Sequence, residues 1–167
     1  MNKILIIGSC GAGKSTFAKK LSNQINLPLV HLDEYYWKPE WKRTERNVWR
    51  KQVVELLKKE KWIMDGNYRN TLDIRLPASD YVIFLDVSRF VCFWRAIKRR
   101  MTKKRADKIS GCKERMSWEL AKWILWTFPR VNRKEIYEWI DKFNKQDDLI
   151  VLKNNKETRE FLNTCKN

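Results

Sequence analysis

The sequence is poor in the residues that build covalently or metal-held scaffolds. Its four cysteines, Cys10, Cys92, Cys112 and Cys165, lie far apart with no Cys-x-x-Cys pair, and His31 is the only histidine. That inventory argues against a disulfide framework and against a zinc site. Long apolar runs are also missing: the stretches 4–7 and 81–85 fall far short of the ~20 residues that a membrane-spanning helix needs. No basic-then-apolar export signal opens the sequence, so the expectation is a cytoplasmic, reduced protein without a membrane partner. Repeats, low-complexity tracts and composition shifts that would mark a domain boundary are absent too.

What is present is an ordinary globular composition with an unusual charge. At 167 residues, with 43% apolar and 34% charged, the chain can bury one sizeable core as a single domain spanning 1–167. The net charge is +16, and residues 89–134 hold 15 Lys or Arg against three acids (Asp107, Glu114 and Glu119), or +12 of the total. A polyanion belongs nearby. Nucleotide phosphates and a nucleic-acid backbone both satisfy that requirement, and charge alone does not separate them.

Hydrophobic patterning supplies the architecture. Residues 3–7 are a short apolar run, read as a strand buried on both faces, and Phe17, Ala18, Leu21 and Ile25 then recur at helical spacing until Pro28. Further strands are expected at 29–32, ending in Asp33, at 62–64, at 81–87 and at 149–152. Between them, an aromatic and basic loop over 35–43 leads to a helix that Thr44 can cap, with Trp49, Val53, Leu56 and Leu57 on one face. A helix after Ser88 carries Phe90, Phe93, Trp94, Ile97 and Met101, and Ser110-Gly111 marks a loop. The helix over 118–128 is expected to stop at Pro129, and its aromatic stripe, like that of Ile136, Trp139, Ile140 and Phe143, reads as core packing. Strands alternating with helices imply a three-layer α/β fold with a five-stranded parallel sheet and right-handed crossovers.

The segment Gly8-Ser9-Cys10-Gly11-Ala12-Gly13-Lys14-Ser15 fits Gly-x4-Gly-Lys-Ser, the phosphate loop. Glycines let backbone N–H groups point inward around phosphate oxygens, Lys14 reaches the β and γ phosphates, and Ser15 offers its hydroxyl to Mg²⁺. The helix through Thr16 aims its positive end at the same anion. Such a pattern arises by chance in roughly one per cent or fewer of chains this long. ATP and Mg²⁺ are thus the expected ligands, and the fold is that of P-loop NTPases. Asn144-Lys145-Gln146-Asp147 spells the base reader of GTPases, but it follows a helix where that reader follows a buried strand, and no Asp-x-x-Gly loop follows the third strand.

Asp65-Gly66-Asn67-Tyr68-Arg69 resembles the Asp-Gly-x-Pro-Arg pattern of adenylate kinases, with Tyr68 in place of proline. That resemblance implies that Asp65 orients Mg²⁺-bound water and that Arg69 grips a phosphate on the acceptor. Leu32-Asp33-Glu34-Tyr35-Tyr36 resembles the second-strand acid of nucleoside, riboside and shikimate-type kinases, which implies that Asp33 takes the proton of the acceptor hydroxyl or binds the metal. Arg95 and Arg99, four apart on one helix face, and Arg100, Arg105 and Arg115 lie where adenylate-kinase-like folds keep lid arginines. Arg130 and Arg133 lie where such folds often supply one more. Tyr35, Tyr36, Trp37 and Trp41 either stack on the acceptor or anchor a helix.

Taken together, residues 8–16, 31–37, 62–69, 84–100 and the basic stretch ending near Arg133 resemble the bacterial topology-modulation-protein family over nearly the whole chain. The resemblance implies a kinase-like core (1–33, 62–97 and 119–167), an acceptor-binding segment (34–61) and a basic helical lid (about 98–118). The expected activity is phosphoryl transfer to a nucleotide, nucleoside or other small acceptor. The alternative is an ATP-dependent regulator that binds nucleic acid through residues 89–134.

Overall fold

The structure, a computed structural model, describes residues 2–102 and 117–165. Arg105, Arg115, Cys112 and Ser110-Gly111, and with them most of the lid expected from the sequence, lie outside the described residues.

Five strands form one parallel sheet in the order β2-β5-β1-β6-β7: β1 (Lys3–Gly8), β2 (Leu29–His31), β5 (Trp62–Asp65), β6 (Tyr81–Leu85) and β7 (Leu149–Leu152). Because side chains alternate across a strand, the unbroken apolar run of β1 feeds two cores. Leu5 and Ile7 join Trp49, Val53, Met64, Phe84, Ile136 and Ile140 on one face. Ile4 and Ile6 join Phe17, Leu21, Ile63, Ile83 and Leu162 on the other. Helices α3 (Arg46–Leu57), α4 (Leu72–Ala78) and α7 (Arg133–Lys142) cover the first face; α1 (Lys14–Ile25) and α8 (Asn155–Thr164) cover the second. This is the three-layer α/β sheet expected from the alternation of apolar runs.

Several local expectations give way. The second strand stops at His31, and residues 32–36 form the short helix α2 (Leu32–Tyr36), so Asp33 sits on a helical turn. The loop after it contains a two-stranded antiparallel hairpin, β3 (Trp37–Lys38) and β4 (Lys42–Arg43). Thr44 does not cap α3. Its hydroxyl turns back to donate to the carbonyl of Tyr36 at 2.7 Å, closing the hairpin, and Glu45 occupies the cap position.

Pro129 does not end its helix. The chain runs from α6 (Trp118–Lys122) through a π-helical stretch, Trp123–Asn132, directly into α7. Pro lacks an N–H and clashes with the carbonyl four residues back in an α-helix, and the wider π turn accommodates it. The same stretch undoes the expected core stripe: Ala121, Ile124 and Phe128 are buried, whereas Trp118 and Trp126 are 79% and 53% exposed. Trp118 opens the helix ahead of its first buried position, and Trp126, two residues after the buried Ile124, lies on the opposite side of the helix from it. On α5 (Arg89–Thr102) the buried positions are the small Cys92 and Ala96, and Phe90, Trp94 and Met101 face outward. Among the described residues no helix is long and apolar enough to cross a membrane.

Candidate functional site

Parallel strands bring their carboxyl ends to one edge of the sheet, where ligands of open α/β folds bind. Gly8, His31, Asp65 and Leu85 all end there. The loop from Gly8 to Lys14 leaves β1 at this edge and turns directly into α1. Gly13, at φ 97°, takes a left-handed conformation that side-chain-bearing residues resist. Gly11 is required by crowding: a Cβ there would stand 2.1 Å from the carbonyl oxygen of Cys92. Helix α5 thus lies against the back of the loop, which is why small residues occupy its inner face.

The Lys14 ammonium folds over the loop and donates to the carbonyl of Ser9 at 3.0 Å. Ala12 N–H bonds the same carbonyl at 3.2 Å. Ser9 is buried, while Ser15 and Thr16 lie in the first turn of α1. Behind the loop, Arg95 donates to the carbonyl of Ala12 at 3.1 Å and to Asn155 Oδ1, at the start of α8, at 2.7 Å. Arg99 Nη2 lies 3.8 Å from the sulfur of Cys10. The arginines expected on a lid helix are therefore brought to the phosphate loop itself.

Beside the loop stand two acids. Asp65 is 5% exposed; its Oδ2 lies 3.1 Å from His31 Nδ1, and its Oδ1 is buried without a partner among the described residues. Asp33 Oδ1 accepts the phenol of Tyr68 at 2.5 Å. Burial, reinforced by the Asp33 charge, drives the Tyr68 phenol well above its ordinary pKa, so it stays a donor. Tyr68 packs against Tyr36 and Trp49, with ring centroids 4.5 and 4.9 Å away.

Beyond Tyr68 opens a cleft of about 1070 Å³, whose walls include Tyr36, Trp37, Arg46, Tyr68, Trp139 and Lys142. Arg69 also lines it, paired with Glu135. Arg133 lies apart from the phosphate loop's own contacts, bonded to Asp86 just after β6 at 2.7 Å.

Sequence reasoning missed Arg75. It is fully buried and donates to the carbonyls of Gly66 (2.9 Å) and Tyr68 (2.5 Å) and to the Thr71 hydroxyl (3.2 Å). Burial lowers its pKa to about 10, so the guanidinium remains charged at neutral pH. It clasps the loop that carries Asn67, Tyr68 and Arg69. Its only sequence signal was an arginine in a short, mostly apolar stretch, 72–78, which Pro77 keeps from reading as a helix.

No protein-family model and no curated protein sequence matches the chain. Solved structures do match. A deoxyadenosine kinase from M. mycoides with bound dATP superposes with a TM-score of 0.56 at 18% identity over 98% of each chain. Shikimate kinase from Bacteroides thetaiotaomicron gives 0.53 at 18% identity, over 96% of this chain and 94% of that one. Its counterpart from Aquifex aeolicus gives 0.50 at 18% identity, over 96% and 91%. The chain has the fold of P-loop kinases. Identity this low establishes the fold alone, and the chemistry must be argued from the site.

Proposed function

We propose that the protein transfers the γ-phosphoryl group of ATP to a small acceptor, a nucleotide or nucleoside, bound in the aromatic cleft. The observation that carries this reading is the Lys14 ammonium held over a glycine-built loop at the same sheet edge as Asp33 and Asp65. Residues 8–16 cradle the phosphates, with backbone N–H groups of the loop and the positive end of α1 facing the anion. Lys14 neutralises charge that builds on the migrating group.

In the transfer step an oxygen of the acceptor hydroxyl bonds to the γ phosphorus, the bond from that phosphorus to the bridging oxygen breaks, and ADP leaves. Asp33 receives the hydroxyl proton. Tyr68 fixes that carboxylate by donating to its Oδ1. Arg95 and Arg99, already against the loop, supply further positive charge. Arg69 and Arg133 reach a phosphate only by exchanging their present carboxylate partners, Glu135 and Asp86, for it.

Magnesium fits the donor set. Asp65 Oδ1, buried and without a partner among the described residues, lies on the strand beside the one that leads to Ser15, and Mg²⁺ takes one or two protein oxygens with waters and phosphates completing its shell. When bound, the ion would be held by Ser15 and Asp65 and would neutralise phosphate charge. The segment 34–61 forms one wall of the cleft and serves the acceptor, and the basic residues from about 98 to 118 serve the donor phosphates.

The test is ADP release from Mg-ATP by the purified protein across nucleoside monophosphates, nucleosides and small hydroxyl metabolites, with the phosphorylated product identified by mass. One acceptor should stimulate turnover well above the basal rate. If none does, the kinase reading fails.

A second reading, an ATP-binding regulator on nucleic acid, draws on one observation: Trp94 and Trp118 are 65% and 79% exposed within the basic 89–134 stretch. Stacking on such rings with phosphate contacts from lysine and arginine is how single strands are held. It requires affinity that falls steeply with salt, and binding unchanged from low to high salt excludes it.

A further inference from the structure

Three buried polar atoms in the cleft have no partner among the described residues: Glu135 Oε2, Asn132 Oδ1 and Asn67 Nδ2. Asn132 as a whole is only 3% exposed, so water does not take the place of a partner by default. Two of these atoms accept hydrogen bonds and one donates.

Their placement follows from the backbone. Asn132 is helical, at φ −64° and ψ −38°, and Glu135 lies three residues on, so the two side chains leave one face of the helix as neighbours. Asn67 stands on the loop after β5, two residues before Arg69, whose guanidinium holds Glu135 Oε1. Loop and helix therefore meet at this carboxylate, and Arg69 offsets its charge. Trp37, Tyr68 and Trp139 line the same cleft with flat faces suited to a planar ring.

We propose that Glu135, Asn132 and Asn67 form a specificity edge that reads a ring carrying two adjacent hydrogen-bond donors beside one acceptor, the edge that a guanine-type purine presents. The inference rests on the cleft being the acceptor site of the proposed kinase. Glu135 Oε2 and Asn132 Oδ1 accept from the ring N–H and its neighbouring amino group, and Asn67 Nδ2 donates to the ring carbonyl. Adenine and cytosine each offer one amino donor beside an acceptor nitrogen, which leaves one of the two protein oxygens facing a lone pair. A site built to pair with a substrate group rejects the analogue that lacks it more strongly than an apolar pocket rejects a missing methylene.

The experiment is calorimetric titration of the whole protein with its donor site saturated by Mg²⁺ and a non-hydrolysable ATP analogue. Guanosine, guanosine monophosphate, inosine, adenosine and cytidine are the probes. Guanosine or its monophosphate should bind about tenfold or more tighter than inosine, which lacks the amino group, and than adenosine or cytidine. Whichever of the two binds more tightly identifies nucleoside or nucleotide as the source of the ring. Asn132→Leu should bring guanosine and inosine to equal affinity, and Glu135→Gln should reduce guanosine more than adenosine. The wild-type panel decides the matter even if a variant fails to fold. Equal affinity for guanosine and adenosine overturns the inference. So does a protein that binds the ATP analogue but none of the rings, a result that leaves the phosphate loop intact as a nucleotide site. Failure to bind the analogue itself overturns the kinase reading along with it.

Discussion

The phenol of Tyr68 donates to Asp33 Oδ1 at 2.5 Å, across 35 residues of sequence, and joins the loop after β5 to the helical turn after β2. Tyr68 occupies the position where the adenylate-kinase pattern has proline, and it does what proline cannot: it holds an acid in place. The interaction ties the cleft's wall to the residue proposed as general base.

Tyr68→Phe tests that tie. Loss of a hydrogen bond to a carboxylate should cost about 1.5–3 kcal/mol of stability and should lower kcat more than it raises KM. The phenol's pKa is raised in the folded state, so its contribution is fully present below the ordinary tyrosine value of about 10 and fades as pH climbs above it. Wild-type thermal stability should therefore fall above about pH 10 by more than that of Tyr68→Phe. Parallel melting curves for the two proteins across that range would contradict the assignment.

Arg75→Met should be among the most damaging single changes. It leaves the carbonyls of Gly66 and Tyr68 buried without their donor, at about 3 kcal/mol or more by denaturant titration. Because those carbonyls belong to the loop proposed to hold the acceptor, any folded fraction should bind the acceptor poorly and ATP normally. Loss of ATP affinity with acceptor binding retained would show that Arg75 supports the wrong half of the site.

The cysteines report on the phosphate loop. Burial pushes the Cys92 thiol up to about 11, so it should not react with a maleimide at neutral pH in the native protein. Cys10, half-buried within the loop, should react, and Mg-ATP should protect it. Peptide mapping distinguishes the two sites. Labelling of Cys10 that ATP leaves unchanged would mean that nucleotide phosphates do not enter this loop.

How much of this was legible in the sequence depends on the range of the interactions involved. The phosphate loop was legible because its requirements are local: Gly11 and Gly13 answer a crowded, left-handed backbone, and an apolar run must precede them. The five strands were legible because parallel strands buried on both faces, such as β1, need no alternation to be recognised. Asp33 and Asp65 stood out as acids after apolar runs. The clasp of Arg75 and the Asp33–Tyr68 bond were not legible, since each depends on which distant carbonyl or carboxylate the fold brings near. The helix through Pro129 was misread because proline ends an α-helix and the sequence does not announce a π turn. Trp118 and Trp126 were misread for a related reason: an apolar stripe shows which residues share a face, not whether anything covers it.

The most direct test of the account is the turnover of Lys14→Ala beside wild type, at saturating Mg-ATP and with the acceptor found in the panel. Among the described residues the Lys14 ammonium bonds only to the loop's own Ser9 carbonyl, so its replacement should leave the far-ultraviolet spectrum and melting temperature nearly unchanged. Phosphorylated acceptor and ADP release should both fall by about a hundredfold or more. A folded Lys14→Ala protein that still transfers phosphoryl groups at the wild-type rate would contradict it.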